Sequence, residues 1–516
     1  MPTSILPQDQ NGQELYNAIS FFFSSFHIGN LLRKCNAQKE KGVPAIQIFK
    51  YKLCNVFADR SMYMQQRTGS FQELFSKNTF YRFMNSSRTN WMKFTTLLSK
   101  SVIDTLEPLT DEDRVNAFIV DDSLFERTSC RKTELGSKVF DHVSMRYTKG
   151  FRLMALSWTD GNTLVPINST LLASSKEQNI LGVQKKYDGR SLAGRRRKLA
   201  QMKGTDAMLE LIRTAQAAGH KADYVLFDTW FSCPAQLLAV RDLGLNAIAM
   251  IKKSSRIRYE FNGKQLSLQK IYGICKKRRG RSRYLLSVDV MVGKDQKIPA
   301  RIVCVRNRSN KKDWIAFICT DMSLSPEEII RIYGKRWQIE VFFKTCKSYL
   351  NLVGECHSLS YDALTAHVAI VFARYMMIAL EQRKNQDERT LGELFFYFID
   401  EMADITFAES YQILVRAMFE CIYAIFHVTD EQMNEFICLF IGKLPDYIQK
   451  CFHVCILAVS HYTNKYVCLN DFSSIWINDC CRITCPVNFN LFTGFPVDMH
   501  GSTMFLLFLL DMVAEL

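Results

Sequence analysis

The stretch from residue 224 to 251 constrains the fold more than any other part of the chain. It contains a buried strand-like run at 224–228, a helix pattern at 234–243 and a second buried run at 247–251. A strand, a helix and a strand at this spacing are typical of a parallel βαβ unit, because parallel strands need a crossover connection. The stretch therefore predicts an α/β fold with a parallel pair in its sheet.

Further strand-like runs precede this unit. A short apolar run at 117–122, AFIVDD, ends in two carboxylates. Three more runs, separated by the turn residues Gly150 and Asp160-Gly161, predict an antiparallel meander at 142–148, 150–161 and 163–172. Three antiparallel strands joined to a parallel βαβ unit predict one mixed sheet.

The segment 252–313 has a different character. It combines alternating strand patterns with basic clusters, and it predicts a mostly β insertion with basic loops. Six of the eight residues at 276–283 are cationic, beginning with Lys276, Lys277, Arg278 and Arg279. This cluster and a basic, loop-like stretch at 185–203 are candidates for DNA-backbone contacts, although a charge run is often only a solvated face.

After a last strand at 314–320, the segment from Ser325 to Leu350 predicts one helix. Ser325 can cap it, Pro326 suits the first helical position, and Glu328 completes a capping box. At about 100° per residue, one narrow stripe carries Tyr333, Arg336, Glu340 and Lys347. Such a stripe is either a solvated face with ion pairs or a site for both metal and phosphate.

Helical regions flank this centre. Residues 1–110 read as helical, and 71–85 resembles a helix-turn-helix with a polar break at 76–78. Residues 358–452 are helical and apolar, and 453–516 form an atypical tail that loses its charge. The predicted domains are 1–110 for DNA binding, 111–251 and 314–357 for the two parts of a catalytic core, 252–313, 358–452 and 453–516.

The charge balance favours a polyanionic partner. The net charge is +15 at pH 7, which points to nucleic acid first and to an anionic membrane surface second. No run is long and apolar enough to suggest a membrane span, and no signal peptide is recognisable at the N-terminus. The 17 cysteines, an odd number, fit reduced thiols, so we expect a cytoplasmic protein without a membrane partner.

Three carboxylates stand at positions that suit catalysis. Asp122 and Asp228 end apolar strands, and Glu340 lies on the polar stripe. Three carboxylates can bind two Mg²⁺ or Mn²⁺ ions, and one such pair can activate a nucleophile while it steadies a leaving oxygen. Each Asp alone is more often a turn or cap residue. Alternation cannot decide between Asp121 and Asp122 in so short a buried strand.

These residues resemble the DDE triad of RNase H-like transposases and integrases. Tyr333, Arg336, Glu340 and Lys347 match the Y-x2-R-x3-E-x6-K signature of insertion-sequence transposases, and DDSLFER and FDTWFS resemble the two Asp motifs of the insertion-sequence-four family. The resemblance spans roughly residues 30–450. It favours Asp122 as the ligand, since the ligand in that family directly precedes Ser or Thr.

The resemblance implies an RNase H-like fold and a cut-and-paste DNA transposase. Tyr333, Arg336 and Lys347 would hold phosphates of the element's terminal inverted repeats, and Trp314 would stack on a displaced base. Trp314 could equally be a strand-core aromatic, and Trp230 reads as packing. The implied partners are double-stranded DNA at the element ends and target, and a second copy of the chain in the synaptic complex. Two rival functions stay open: a catalytically silent DNA-binding protein and a metal nuclease without strand transfer.

Overall fold

A computed structural model describes residues 10–39, 41–57, 62, 65, 75–109, 115–141, 144–279, 282–307, 310, 313–384, 429, 432 and 439. The chain divides into two compact units, residues 1–404 and 405–516. All helices and strands given below belong to the first unit. The predicted tail at 453–516 lies outside the described residues, as does most of the region predicted to be helical at 358–452. The predicted domain limits stay predictions.

The centre of the first unit is a mixed sheet of eleven strands. They are β1 Ala117–Glu126, β2 Ser137–Asp141, β3 Arg146–Thr159, β4 Leu164–Leu172, β5 Tyr224–Phe227, β6 Asn246–Ile251, β7 Arg258–Phe261, β8 Lys264–Ser267, β9 Leu286–Val292, β10 Ile298–Arg306 and β11 Trp314–Cys319. Their order is β2-β3-β1-β5-β6-β11-β10-β9-β7-β8, and β4 also pairs with β3.

The strand directions confirm the mixed sheet. Strand β3 pairs antiparallel with β1, β2 and β4, whereas β1, β5 and β6 pair in parallel. The order β4-β3-β1-β5-β6 is compatible with an RNase H-like core. The predicted β insertion contains β7 to β10, which extend the same sheet because β11 pairs with both β6 and β10.

Two predictions about the meander were wrong: a separate strand at 142–148 and a turn at Gly150. Gly150 lies inside β3 instead of in a turn, and the chain reverses between Asp141 and Arg146, where Met145 has a φ of 53°. Gly150 has a φ of 151°, and a Cβ at this position would lie 2.2 Å from the carbonyl oxygen of Phe125. The glycine therefore permits a close approach of β3 to β1, which local turn propensity does not reveal. The predicted turn at Asp160-Gly161 is confirmed.

Strand β1 is longer than expected, and this changes the place of its carboxylates. Asp121 and Asp122 lie in the middle of the strand, not at its end. Only Ala117 to Ile119 pair with β5, while β3 pairs with the whole of β1. Beyond Ile119 the pairing with β5 stops, and this is where Asp228 follows the end of β5.

Twelve α-helices surround the sheet within the described part of the chain. They are α1 Gln10–Ser25, α2 Ile28–Lys34, α3 Ala45–Cys54, α4 Lys77–Met84, α5 Trp91–Leu106, α6 Leu192–Ala200, α7 Gly204–Ala217, α8 Pro234–Asp242, α9 Leu268–Ile274, α10 Pro326–Gly334, α11 Trp337–Ser348 and α12 Tyr361–Lys384.

Two helix predictions need correction in the basic and N-terminal regions. The stretch 185–203 is not all loop, because it contains α6, whose cap Ser191 accepts a hydrogen bond from the Gly194 amide. Helix α4 begins at Lys77, inside the predicted polar break, because Ser76 caps it. The first helix of the predicted helix-turn-helix, at 71–75, lies outside the described residues apart from Phe75, so that motif stays a prediction.

The predicted single helix at 325–350 is two helices. The capping box of Ser325 and Glu328 is present, but α10 ends at Gly334 and α11 begins at Trp337. The amides of Lys335 and Arg336 donate to oxygens three residues earlier, at 3.0 Å each, which tightens the chain into a 3₁₀-type turn. We call this turn the joint.

The long helix α12 packs against α5, α3 and β4 in the core. In the described part of the chain, the stretch Tyr361–Arg383 is long and apolar enough to cross a membrane. However, 94% of its most apolar window is buried inside the protein. A buried core helix meets the same length and hydropathy criteria, and the packing of α12 is of that kind.

Candidate active site

The carboxylates of β1 and β5 come together where the pairing of these two strands stops. Ile119 is in parallel register with Leu226, so Asp121 and Asp228 each lie two residues further along neighbouring strand paths. Adjacent residues of a strand project to opposite faces of the sheet. Asp121 and Asp122 accordingly have different partners.

Asp121 is linked to the helix that carries Glu340. The Arg336 Nη1 atom lies 2.9 Å from Asp121 Oδ2, and Nη2 of the same guanidinium contacts the Glu340 carboxylate. The side chains of Asp121 and Arg336 are 15% and 13% exposed, whereas Glu340 is 36% exposed. Among the described residues, Arg336 Nε is buried without a hydrogen-bond partner. One arginine thus joins a sheet carboxylate to a helix carboxylate.

Asp122 is paired within the sheet. Arg152 of β3 holds it in a bidentate ion pair, with 2.5 Å from Nε to Oδ2 and 2.7 Å from Nη2 to Oδ1. Burial lowers the pKa of Arg152, but the hydrogen bond and charge of Asp122 outweigh it and raise the pKa overall. Asp122, the residue chosen from the sequence, therefore contacts Arg152 and not the Arg336–Glu340 pair.

The electrostatics of this cluster show an excess of negative charge. Burial raises the pKa of Asp121 to about 7, Arg336 opposes the shift, and the charges of Asp228 and Asp122 add to it. Burial also raises the pKa of Asp228, with a contribution from Asp122, although its hydrogen bond from the Trp230 amide acts against this. The carboxylates of Asp121, Asp122, Asp228 and Glu340 outnumber the two arginines that contact them. A divalent cation would relieve this imbalance.

Tyr333 and Lys347 occupy the two sides of this cluster. Tyr333 is buried, its hydroxyl donates to the Phe227 carbonyl at 3.4 Å, and burial raises its pKa. Lys347 is exposed. Partial desolvation and the charge of Arg152 lower the pKa of Lys347, while Glu126 opposes the shift, so Lys347 lies on the Arg152 side. Tyr333, Arg336 and Lys347 lie around the carboxylates, but the joint interrupts the single helical stripe that the sequence predicts.

The joint between α10 and α11 is anchored to the opposite end of β1. Lys335 Nζ donates to the carbonyl oxygens of Val115 at 2.9 Å and Asp160 at 3.1 Å. Gln338 donates to the Gly161 carbonyl at 2.9 Å. Gly161 has a φ of 99°, and a Cβ there would lie 2.6 Å from Lys335 Nζ. These contacts place Arg336 and Glu340 over the carboxylates of β1.

The two tryptophans singled out from the sequence have different surroundings. The Trp314 ring stacks on Tyr272 with 4.0 Å between centroids, and Lys253 Nζ lies 4.4 Å from its centroid. Trp230 is 51% exposed, and Lys252 Nζ lies 3.8 Å from its ring centroid. The interpretation of Trp230 as packing is wrong, because a packed core side chain would not leave half of its surface in solvent. The role of Trp314 in base stacking stays a prediction.

The basic cluster at 276–279 leads out of helix α9. Lys277 Nζ donates to the Gly273 carbonyl at 3.1 Å, and the Arg278 guanidinium lies 4.1 Å from the Tyr284 ring centroid. None of these four residues contacts the carboxylates in the described structure. Their proposed contact with DNA stays a prediction.

The donor set suits a hard divalent cation, because all the candidate ligands are carboxylate oxygens. The raised pKa values of Asp121 and Asp228 also fit a site that a cation would stabilise. Within the described ranges, no group of three or more His, Cys, Asp or Glu side chains is gathered closely enough to form a ready metal site.

The mixed sheet brings Asp121 and Asp228 to the place where two parallel strands stop pairing. Comparison with known families identifies the class of protein. Residues 57–324, just over half of the chain, match the DDE superfamily endonuclease family, and the chain belongs to that family. The matched segment contains Asp121, Asp122 and Asp228, and it ends before the helices that carry Arg336 and Glu340. No curated protein matches the chain.

Sequence reasoning missed Arg152 and Lys335. Arg152 belongs to no recognisable motif, and Lys335 is not one of the four positions of the signature. Arg152 could have been found only from the register of β3 against β1, which sets Leu124 opposite it. Lys335 is adjacent to a signature residue but points its ammonium to the other end of the strand.

Proposed function

We propose that this chain is a DNA transposase that moves an insertion sequence by cut and paste, and that it binds the terminal inverted repeats. Its membership of the DDE superfamily endonuclease family supports a nuclease or transposase activity. The observation that carries the proposal is the link from Asp121 through Arg336 to Glu340, beside Asp228. This cluster supports the proposal because it combines carboxylates, which can bind a metal, with an arginine of the kind that binds phosphate.

We propose Asp121, Asp228 and Glu340 as the metal ligands, with Asp121 in place of Asp122. The pairing of Asp122 with Arg152 supports this choice, because Arg152 holds both oxygens of Asp122, whereas Arg336 contacts one oxygen of Asp121 and shares its guanidinium with Glu340. Bound Mg²⁺ or Mn²⁺ would supply activation of the attacking oxygen and stabilisation of the leaving oxygen.

The protein's own groups would orient the DNA. Arg336 is placed to exchange its carboxylate contacts for a DNA phosphate, since guanidinium binds phosphate in a bidentate manner. Lys347, exposed beside Arg152, would contact a second phosphate as a point charge. Tyr333 would support Arg336, whose guanidinium lies 5.9 Å from its ring. The same site would serve end nicking, attack by the freed 3′-hydroxyl and joining to target DNA.

The basic residues Lys276, Lys277, Arg278 and Arg279 would follow the DNA backbone in this proposal. Their positive charges contribute to the net charge of +15 and suit a double-stranded DNA partner. Replacing all four with Ala should flatten the salt dependence of DNA binding by about 0.9 per lost contact and weaken every sequence alike. Fluorescence anisotropy across a salt series measures this slope. An unchanged slope would show that the cluster is a solvated surface.

The decisive experiment incubates the full chain with Mg²⁺ and labelled DNA taken from either side of its coding sequence, with and without target plasmid. A transposase nicks the ends and joins them to the plasmid. Nicking without joining would indicate a nuclease, and binding alone a silent protein. Two chains should be found in the complex with paired ends, which light scattering can count.

The choice between the two aspartates has a matched test. Asp121→Asn should reduce nicking by about three orders of magnitude or more, because carboxylates of one catalytic unit act together. Asp122→Asn removes the partner of Arg152 and should reduce it much less. Binding of end DNA, followed by gel shift, should survive in both variants. If Asp122→Asn lost more nicking activity than Asp121→Asn, Asp122 would be the ligand instead.

A further inference from the structure

A cavity of about 710 Å³ opens on the Asp122 side of the active site. We call it the hairpin trough, because the hairpin of β2 and β3 forms one of its walls. Beside Asp122, its lining includes the cations Lys138, Arg152 and Lys203 and the aromatic residues Phe140, Tyr147 and Trp230. Its volume is that of a typical small-ligand cleft. Neither the metal ligands nor the phosphate-binding residues proposed above explain this composition.

Aromatic rings in the trough are exposed to an unusual degree. Tyr147 is 72% exposed and Trp230 is 51% exposed. Tyr147 is fixed by an edge contact with Phe140, at 5.3 Å between centroids, so one edge of the ring is held while most of its surface faces solvent. Large exposed aromatic side chains beside a catalytic site indicate a binding surface for another flat, apolar group.

The hairpin also places two lysines opposite each other. Lys138 and Lys149 are directly paired in the β2–β3 register, and both are exposed. Directly opposed like charges destabilise an antiparallel pair. A ligand with regularly spaced negative charges would relieve this repulsion.

We propose that the hairpin trough binds an unpaired DNA strand as it leaves the active site. This inference rests on the proposed function, because cleavage of DNA at the active site would be the source of the unpaired strand. Alternating cations and exposed aromatics are the features that hold single strands, because unpaired bases can stack on the rings while the lysines contact phosphates. A duplex fits less well, since its bases are stacked on each other and cannot offer their faces to Tyr147 or Trp230. The first turn of α7, which begins beside Lys203, adds the favourable electrostatics of a helix N-terminus.

The test measures binding only, with the full chain in EDTA. A fluorescein-labelled oligothymidylate of about 12 nucleotides and a duplex of the same length are titrated by anisotropy. Trp230→Ala and Tyr147→Ala should each weaken single-strand binding roughly tenfold, and duplex binding by less than about threefold. Trp230→Phe should restore most of the single-strand affinity, because it keeps a stacking face.

Met145→Ala is the matched control, because Met145 is 70% exposed on the same hairpin but does not line the trough. It should change neither affinity, and circular dichroism checks that all variants are folded. Equal losses on both DNA forms would overturn the proposal in favour of a duplex surface, and no loss on either would overturn it altogether. Because no cleavage is measured, a protein that fails the transposition test can still pass this one, and the reverse.

Discussion

Two clusters of buried charged side chains in this molecule differ in which sign of charge is in excess. In the core, Glu355 is enclosed by Arg374, whose Nη1 lies 2.7 Å away, and by Lys52 at 2.5 Å. Burial raises the pKa of Glu355, but these two cations outweigh it and lower the pKa far below its usual range. In the active site the carboxylates are in excess, and the pKa of Asp121 rises to about 7 instead.

The difference distinguishes a structural cluster from the cluster that we propose to bind metal. Arg374 is fully buried and also donates to the carbonyl oxygens of Leu53 and Leu350, so the core cluster ties α3, α12 and the segment after α11 together. The charge of Glu355 is compensated inside the protein by Arg374 and Lys52. The active-site carboxylates outnumber the arginines that contact them, and such an imbalance is common where a ligand supplies the missing charge.

The largest contrast should come from matched Glu→Gln substitutions. Glu355→Gln leaves Arg374 and Lys52 buried without a counter-charge and should lower the free energy of unfolding by about 3–5 kcal/mol. Glu340→Gln removes an excess charge from a half-exposed site. It should change the free energy of unfolding by less than about 1 kcal/mol, while nicking is lost. Chemical denaturation read beside a nicking assay measures both. Similar stabilities for the two variants would remove the distinction between the clusters.

The pH dependence of stability should sharpen the same contrast. The folded pKa of Asp121, about 7, exceeds the ordinary value of 3.8, so the folded state holds an extra proton between these values. The contribution of Asp121 to stability is therefore complete below about pH 4 and is lost as the pH rises through about 7. The parent chain in EDTA should lose a few degrees of melting temperature relative to Asp121→Asn between pH 4 and 7.5.

Buried His220 and His367, whose pKa values are lowered by burial, titrate in both chains and cancel in this comparison. Addition of Mg²⁺ at pH 7.5 should stabilise the parent chain and not the variant, as a cation replaces the missing positive charge. If the melting temperatures of the parent chain and Asp121→Asn differed by the same amount at every pH, the raised pKa of Asp121 would be contradicted.

The smallest expected effect concerns Arg152. Arg152→Ala frees Asp122 and adds one uncompensated carboxylate to the cluster, so Mn²⁺ should bind several-fold more tightly. Calorimetric titration of the metal measures this directly, and Arg152→Lys serves as the control that keeps the charge. Weaker Mn²⁺ binding in Arg152→Ala would mean that Arg152 positions a ligand and does not restrain a spare carboxylate.

The sequence was sufficient for features that depend on local pattern. The strands around 224–228 and 247–251 and the helix Trp91–Leu106 follow from apolar periodicity and the absence of competing signals. The choice between Asp121 and Asp122 depended on how far β1 continues past its apolar part, and only pairing with β3 decides this. The end of α10 was missed because no helix-breaking residue other than Gly334 marks it.

The joint between α10 and α11 has an entropic consequence. Lys335 and Gln338 fasten it to Val115, Asp160 and Gly161 through contacts that need neither metal nor DNA. In the proposed function, Glu340, one helical turn further on, would stand near its working position before DNA arrives. This part of the site would then be ordered during folding, and less of the free energy of DNA binding would be consumed in assembling it. Gly161 has a φ of 99°, which favours glycine, and it leaves room for the Lys335 ammonium beside it.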